Sequence, residues 1–487
     1  MKRVALAVAV SLIAVAANAE TQGAANPGFE QLQSDGTPAA WLSLRGPGMQ
    51  SFTSTKGRHG KGGRLRVSGG AVAIGSVAQK IDAAPYRGKL VRLTATFRTA
   101  ATAQVGPFLT ILRPTPYMVG FAEDDSMRPA RPGKWQQETI TGRVAQDATA
   151  IWIGVKVVGD ADVTIDDVRL EEPSGHGKPP TPVALAYLDQ AIAILRAHHI
   201  NSANADWPRL ISEAHAEIAG AKTSADTYSA IADLIEALGE RHSFLQPPPS
   251  QAQIDAAAHP RANGVPQGVE LPSETLLDGR VGVVRMPGLN LYAPGGARSA
   301  EVYQETLRAA LLQLDKAPLC GWIVDLRNNT GGDMWPMLNG LDPLLGSAPF
   351  GYVVDKGGKT AWERVGGRIG VGQVVSDPQA PPAFVLRHAS TPVGILLGPR
   401  TASSGEITAL ALIGRPRVRT FGAPSAGFLS ANIVVPMSDG ANLAVTTSLI
   451  ADRSGAVYSG TIQPDVVTDP DFAEAAAKTW IEQQCVK

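Results

Sequence analysis

The chain has 487 residues, in which 44 lysine and arginine residues balance 44 aspartate and glutamate residues. A length well above the roughly 250 to 300 residues at which one core stops growing predicts two or more domains. The zero net charge provides no general attraction to nucleic acid or to an anionic membrane, so we expect no nucleic-acid partner and binding through local sites.

The first twenty residues have the composition of an export signal. Basic residues at positions 2 and 3 precede an apolar run over residues 4–17, and Ala17-Asn18-Ala19 is a small-residue cleavage site. The run is shorter than the roughly 20 residues that span a bilayer, and no cysteine follows the cleavage site to carry a lipid. We predict a signal peptide over residues 1–19, no membrane span, and a periplasmic or secreted protein.

Residues 20–173 have the pattern of an all-β module. Apolar and polar side chains alternate strictly over residues 91–98, as in a strand with one buried face, and do so again over residues 151–157. Frequent glycine and proline residues between such runs predict a sandwich of short antiparallel strands. The following segment, residues 174–182, is rich in glycine and proline and is the predicted linker.

Residues 183–250 predict a helical region, and residues 251–475 predict an α/β domain. Helical periodicity appears near 182–199, 206–220 and 224–239. Further along, buried-strand runs such as 281–285, 321–326 and 393–397 alternate with helical segments. The turn Ser438-Asp439-Gly440 between two apolar runs predicts a hairpin.

The strongest local signal for chemistry is residues 395–412, a buried strand that passes through a small-residue turn into a helix. Ser403 stands at the start of this helix, where free backbone N–H groups favour the negative charge that develops during acyl transfer. Ser403 and Glu406 also fit a capping box, in which the serine only satisfies a helix N–H. Spacing alone favours this second interpretation.

Three other segments change that balance. Residues 238–245, Leu-Gly-Glu-Arg-His-Ser-Phe-Leu, put His242 just after a helix. Residues 325–333, Asp-Leu-Arg-Asn-Asn-Thr-Gly-Gly-Asp, leave a strand and enter paired glycines, where backbone amides can approach a ligand closely. Residues 421–427, Phe-Gly-Ala-Pro-Ser-Ala-Gly, form a turn. Each segment taken alone is explained by an ordinary turn or a surface histidine.

Together and in this order, with Ile-Gln-Pro-Asp-Val at 462–466, these segments resemble the tail-specific (C-terminal processing) proteases over roughly residues 183–470. The resemblance implies a crotonase-like ββα serine protease core, a peptide or protein substrate and no catalytic cofactor. It makes Ser403 the nucleophile, because the family's serine lies three residues before the glutamate of the helix start. It places the oxyanion hole at Gly331 or Gly332 together with the amide of Ser404.

Two departures define the branch of the family. The processing proteases use a lysine base about 25 residues after the serine, and Phe428 stands at this position. About 35 residues separate His242 from the next strand, too few for the PDZ domain that many members insert there. The chain therefore resembles the PDZ-less, tricorn-core-like branch, in which a histidine is the base, and this role falls to His242. That branch has a serine where this chain has Arg241.

Candidates to orient or support the catalytic pair are Glu406, Asp452 and Tyr458. Two cysteines, Cys320 and Cys485, are too few for a disulfide scaffold or a zinc cluster, and an oxidising compartment permits one bridge between them. The sequence gives no distance between them, so a disulfide and two unpaired thiols both remain open.

The leading module resembles the galactose-binding-like jelly rolls of carbohydrate-binding modules, through Asn-Pro-Gly-Phe-Glu at 26–30 and Ile-Asp-Asp-Val at 165–168. This resemblance implies a glycan partner and a structural Ca²⁺ held by Glu30 and by Asp166 or Asp167. A spacer or an interaction surface is equally consistent with the module. For the whole chain the alternative function is a non-catalytic ligand- or peptide-binding protein, because the retinoid-binding protein of photoreceptors resembles the same family without being a protease.

Overall fold

The computed structural model describes residues 23–45, 48–70, 73–101, 103–113, 128–172, 178–249, 254, 257–290, 294–372, 374–375 and 383–485. The predicted signal peptide, residues 1–19, and much of the predicted linker lie outside the described residues. The described chain divides into two compact units, one ending at residue 172 and the other beginning at residue 178. No helix of the described ranges is long and apolar enough to cross a membrane.

The first unit is a sandwich of two five-stranded antiparallel sheets, with strand orders β1-β4-β9-β6-β7 and β2-β3-β10-β5-β8. Its strands are β1 Leu42–Arg45, β2 Met49–Lys56, β3 Lys61–Val67, β4 Ile74–Asp82, β5 Leu90–Thr99, β6 Gln104–Leu112, β7 Arg128–Pro129, β8 Gln136–Arg143, β9 Ala150–Val158 and β10 Ala161–Glu171. Alternate residues of β5 and β9, including Val91, Leu93, Ile151 and Ile153, fill the space between the sheets. The predicted jelly-roll sandwich is confirmed.

The second unit begins with three helices, α1 Pro182–His198, α2 Trp207–Glu217 and α3 Tyr228–Ala237. Thr181 caps α1 by accepting a hydrogen bond from the N–H of Ala184 at 3.3 Å. The buried faces of the helices, with Ile231 and Ile235 of α3 among them, pack against Leu443 and Val445 of a later hairpin. The helical periodicity of the sequence thus reports a real packing face.

A six-stranded sheet forms the centre of the second unit, in the order β12-β13-β14-β19-β20-β24. All neighbouring pairs are parallel except β12 with β13. Trp322 and Val324 of β14 face the layer of helices α4, α5 and α6, whereas Ile323 packs against α7 on the other face. These elements are β12 Ser273–Leu277, β13 Val281–Arg285, α4 Gly296–Leu314, β14 Gly321–Asp325, α5 Met334–Leu345, β19 Val393–Leu397, α6 Ser404–Leu412, β20 Val418–Gly422, β24 Val466–Val467 and α7 Ala473–Gln484.

A second sheet lies beside this core, in the order β11-β22-β15-β16-β17-β18, with β21 and β23 also paired to β22. Its strands are β11 Phe244–Gln246, β15 Gly351–Asp355, β16 Gly358–Val365, β17 Arg368–Val371, β18 Val374–Val375, β21 Ser430–Pro436, β22 Asn442–Ala451 and β23 Val457–Tyr458. Strands β21 and β22 form the hairpin that the sequence predicts. Because β11 pairs with residues 442–444 of β22, the segment just after α3 is brought to this hairpin across some 200 residues of chain.

Cys320 and Cys485 form a disulfide, which answers the question that the sequence left open. The bond joins the residue before β14 to the residue after α7. It therefore fastens the helix that covers one face of the central sheet.

Candidate active site

Ser403 occupies a sharp turn between β19 and α6. Its backbone has φ 51° and ψ −119°, a conformation that residues other than glycine rarely adopt. The turn is tied to the end of β14: the hydroxyl of Thr401 donates to the carbonyl of Leu326 at 2.8 Å, and the N–H of Ala402 donates to the carbonyl of Asn329 at 2.9 Å. The segment that follows β14 therefore holds the strained residue at the start of the helix.

The capping interpretation of Ser403 is also realised, because Ser403 and Glu406 form a capping box. The N–H of Ser403 donates to Glu406 Oε2 at 2.8 Å. An ordinary N-cap residue adopts extended backbone with negative φ, so capping does not require the positive φ of Ser403. The strained strand-to-helix turn is the geometry of a nucleophile elbow, which exposes a side-chain hydroxyl at the top of a sheet.

The paired glycines after β14 lie against Ser403. A Cβ built on Gly331 would stand 2.7 Å from Ser403 Cβ and 3.2 Å from Ser403 Oγ. Gly331 and Gly332 have φ values of 97° and 108°, which favour glycine at both positions. The backbone of the glycine turn can thus approach the serine only because both residues lack a side chain.

Gly332 is the better candidate for the oxyanion donor. The N–H of Gly331 donates to the buried side chain of Asn329 at 3.0 Å and is already engaged. The parallel bridge between Leu289 and Gly332 uses the carbonyl of Gly331 and the N–H of Asp333, so it leaves the N–H of Gly332 on the other side. The N–H of Ser404 is the first of α6 and has no partner within the helix.

Ser404 also connects the two halves of this donor pair. Its hydroxyl donates to the carbonyl of Gly332 at 2.6 Å. The contact holds the glycine turn against the start of α6. The sequence did not distinguish Gly331 from Gly332, because the choice depends on where the side chain of Asn329 points.

Glu406 is fully buried and joins the serine turn to the turn at 421–427. One carboxylate oxygen accepts hydrogen bonds from the Ser425 hydroxyl at 2.5 Å and from the N–H of Gly427 at 2.8 Å. The other accepts the N–H groups of Ser403 and Phe428, both at 2.8 Å. Burial raises the pKa of this carboxyl, and the four donors oppose the shift. Glu406 has no lone pair to spare for catalysis and acts as a support.

His242 lies in a short loop between α3 and β11, and Glu240 shapes this loop. The Glu240 carboxylate accepts the N–H of His242 at 2.6 Å, the N–H of Ser243 at 2.8 Å and the Ser243 hydroxyl at 2.9 Å. Buried His199 stands behind it, with Nε2 at 3.9 Å from Glu240 Oε2. The sequence did not indicate a role for Glu240 or His199. Their segments were singled out only because of His242 and because of helical periodicity.

Phe428 occupies the position at which the processing proteases have their lysine, and it packs against His242. The two ring centroids are 5.6 Å apart, with a tilt of 36° between the planes. Burial lowers the pKa of His242 from 6.5 to about 4, against the opposing charge of Glu240 and a hydrogen bond with the backbone of Ser430. An aromatic side chain therefore stands beside a neutral imidazole.

The structure does not join His242 to Ser403 by a direct hydrogen bond in the residues that it describes. It gives them common neighbours instead: Phe428 contacts the imidazole, and the N–H groups of Phe428 and Ser403 share Glu406 Oε2. Catalytic hydrogen bonds are often long in unliganded enzymes and tighten when substrate binds, so the lack of a direct hydrogen bond does not by itself exclude a catalytic pair.

Neither Asp452 nor Tyr458 contacts the imidazole in the described chain. Asp452 closes its own turn, accepting the N–H and the hydroxyl of Ser454 at 2.8 and 2.6 Å and the N–H of Ala456 at 3.0 Å. Tyr458 packs against the main core, and burial raises its pKa. The polar side chain that meets the imidazole is that of Ser430, which the sequence did not indicate because no motif marks it.

The carboxylates proposed for calcium have other partners. Asp166 accepts the N–H groups of Arg58 and His59 at 2.7 and 3.1 Å, and Glu30 accepts the N–H of Lys61 at 3.0 Å. Asp167 points to Arg169. No group of three or more His, Cys, Asp or Glu side chains gathers as a metal site in the described residues. These contacts do not fit a calcium cage, which needs six to eight oxygens, and the ion stays a prediction that chelator-sensitive melting of the protein would test.

Comparison with known proteins matches residues 280–468 to the family described as Peptidase family S41. The nisin-resistance protein of Lactococcus lactis subsp. lactis is 30% identical over 284 residues, which cover 57% of this chain and 81% of that protein. A solved lipoprotein of Streptococcus agalactiae is 23% identical, with a TM-score of 0.50 over 62% of this chain and 97% of its own.

For the first unit, the comparison includes the xylan-binding domain of CBM 22. That domain is 14% identical, with a TM-score of 0.24 over 30% of this chain and 92% of its own. Binding of a glycan by this unit stays a prediction.

Proposed function

Because this chain belongs to peptidase family S41, and is therefore a serine peptidase, we propose that it is exported and cleaves peptide bonds with Ser403 as nucleophile and His242 as general base. The observation that carries the proposal is the strained backbone of Ser403 at a strand-to-helix turn, with the glycine turn at Gly331 lying directly against it. Such strain persists only where the surrounding structure holds it, and it concentrates at functional sites.

The chemistry follows from these positions. His242 is neutral at physiological pH, so it can accept the hydroxyl proton of Ser403 while the oxygen attacks the substrate carbonyl. The oxyanion forms between the N–H groups of Gly332 and Ser404, each contributing on the order of 3 kcal/mol to the stability of the transition state. His242 then protonates the leaving amine, and water releases the acyl group from Ser403.

Export is supported by two independent features. The sequence begins with the composition of a signal peptide, and the Cys320–Cys485 disulfide suits an oxidising compartment rather than the cytosol. Reduced and non-reduced mobility of protein recovered from the cell envelope tests both at once.

The first experiment compares Ser403→Ala with Ser438→Ala. Ser438 is an exposed serine in the turn of the β21–β22 hairpin and serves as the matched control. A fluorophosphonate probe and a panel of fluorogenic peptides, with nisin included because a relative is named for resistance to it, report on the nucleophile. We expect Ser403→Ala to lose labelling and at least about 10³-fold in kcat, and Ser438→Ala to keep both. Unchanged labelling of Ser403→Ala would refute the assignment.

The second candidate function is ligand binding without catalysis. A cavity of about 550 Å³ lies at the carboxyl ends of β13 and β14, lined by apolar residues such as Leu271 and Met286 and by Arg285 and Asp325. Its size and position suit a small molecule or a short peptide. If catalysis is absent, Ser403→Ala and the unmodified protein bind the peptide panel equally and neither cleaves it.

A further inference from the structure

The imidazole of His242 has one close polar partner among the described residues. His242 Nδ1 lies 2.7 Å from the hydroxyl oxygen of Ser430, the first residue of β21. Ser430 is buried, with 6% of its surface exposed, so water does not compete freely for this contact. The hydroxyl is therefore held against one nitrogen of the ring.

The surroundings of this contact decide which ring nitrogen carries the proton. Ser430 Oγ also lies 3.4 Å from Thr446 Oγ1, and the hydroxyl of Thr446 donates its own hydrogen to the side-chain oxygen of Asn432. Thr446 Oγ1 can therefore only accept from Ser430, so the Ser430 hydroxyl directs its hydrogen to Thr446 and accepts a hydrogen bond from the nitrogen of His242 that faces it. A proton on Nδ1 leaves the lone pair on Nε2, which is the form that a general base needs.

The same hairpin also holds the main chain of the histidine loop. Asn432 donates from its side-chain amide to the carbonyl of His242 at 2.7 Å, and it accepts the hydroxyl of Thr446 at 2.7 Å. The N–H of Thr446 donates to the hydroxyl of Ser243 at 2.9 Å. The ring and the backbone carbonyl of His242 are thus both held by side chains of β21, and the backbone of β22 holds the adjacent Ser243.

We propose that Ser430 is the positioning residue of His242, holding the imidazole as the Nδ1–H tautomer with Nε2 available to Ser403. This inference rests on the proposed peptidase function. Ser430 fills the structural place of the acidic residue in a Ser-His-Asp triad, although it is uncharged. A hydroxyl can fix the tautomer and the ring angle, but it cannot neutralise the imidazolium that forms during the reaction.

The test compares Ser430→Ala with Ser430→Thr and Ser448→Ala. Threonine keeps the hydroxyl, and Ser448 is an equally buried serine of the paired strand whose partner is Thr447 rather than His242. We expect Ser430→Ala to lower kcat by about 10²-fold with little change in KM, less than the roughly 10⁴-fold lost when a triad acid is replaced. Ser430→Thr should recover most of the activity, and Ser448→Ala should stay near the unmodified protein.

A second readout does not depend on activity. The ¹⁵N shifts of the imidazole nitrogens report the tautomer, and His242→Gln identifies the His242 signals among those of eight histidines. We expect the Nδ1–H form in the unmodified protein and a shift toward the Nε2–H form in Ser430→Ala. An unchanged tautomer, or an unchanged kcat, in Ser430→Ala would overturn the role of Ser430. If the proposed peptidase function is wrong, the unmodified protein cleaves no peptide, which is distinct from a defect confined to Ser430→Ala.

Discussion

The pH dependence of peptide cleavage should reveal the environment of His242. The proposed base, His242, acts only when neutral, and burial lowers the pKa of its imidazole from 6.5 to about 4. At pH 5 about 90% of a group with that pKa is neutral, against about 3% of an unperturbed histidine. Because protonation disables the base, kcat/KM should stay nearly level from pH 7.5 to pH 5 and fall by half near pH 4. Initial rates with a fluorogenic peptide well below KM measure this limb.

A half-maximal rate near pH 6.5 would refute this reasoning, provided that the protein stays folded. The folded ring resists protonation down to about pH 4, whereas an unfolded chain takes up the proton below about pH 6.5. The stability that His242 contributes is thus present above pH 6.5 and is lost progressively between pH 6.5 and pH 4. Circular dichroism at each pH separates loss of the fold from loss of the base.

Phe428 and Phe421 provide a matched pair of variants to test whether burial by Phe428 lowers the pKa of His242. Phe428 packs on the imidazole, whereas the equally buried Phe421 packs on Trp480. Both alanine variants should lose about 3 to 5 kcal/mol of stability, but only Phe428→Ala should admit water to His242 and move the acid limb toward pH 6.5.

Two further predictions concern the glycine turn and the disulfide. Gly331→Ala should reduce kcat/KM by at least about 10²-fold, because the added Cβ would stand 2.7 Å from Ser403 Cβ. The far-ultraviolet circular dichroism spectrum should be retained. A fully active Gly331→Ala variant would contradict the placement of the glycine turn. Cys485→Ser should lower the free energy of unfolding by about 2 to 5 kcal/mol without changing activity, because the disulfide closes a loop of 165 residues. Urea titration measures this change. An unchanged urea midpoint of unfolding would show that the disulfide does not stabilise the fold.

The periodic parts of the fold could be predicted from the sequence, because each depends on local spacing. The alternation at 91–98 gave strand β5, and the apolar spacing from Tyr228 to Leu238 gave the packed face of α3. The buried runs at 281–285 and 321–326 likewise became parallel neighbours. Pairing across 200 residues was not readable in this way, since the match of β11 to β22 depends on tertiary packing.

The same distinction applies to the candidate site, where residues in motifs could be predicted and residues placed by tertiary packing could not. Ser403 and His242 sit in motifs, and motifs can be compared with a family. Ser430 carries no motif, and its contact exists only because the hairpin β21–β22 folds over the histidine loop. The choice of Gly332 over Gly331 likewise depends on one buried amide, that of Asn329.

The missing lysine and the candidate histidine base form one coupled arrangement. The backbone N–H of Phe428 donates to the same Glu406 carboxylate oxygen as the N–H of Ser403, and the aromatic ring of Phe428 packs against the imidazole. A lysine at this position would bring a second cation next to a group that must accept a proton, and would disfavour the imidazolium formed during the reaction. An apolar residue adds no second cation, although burial still lowers the pKa of the imidazole, so the departure from the lysine pattern at position 428 is compatible with a histidine base.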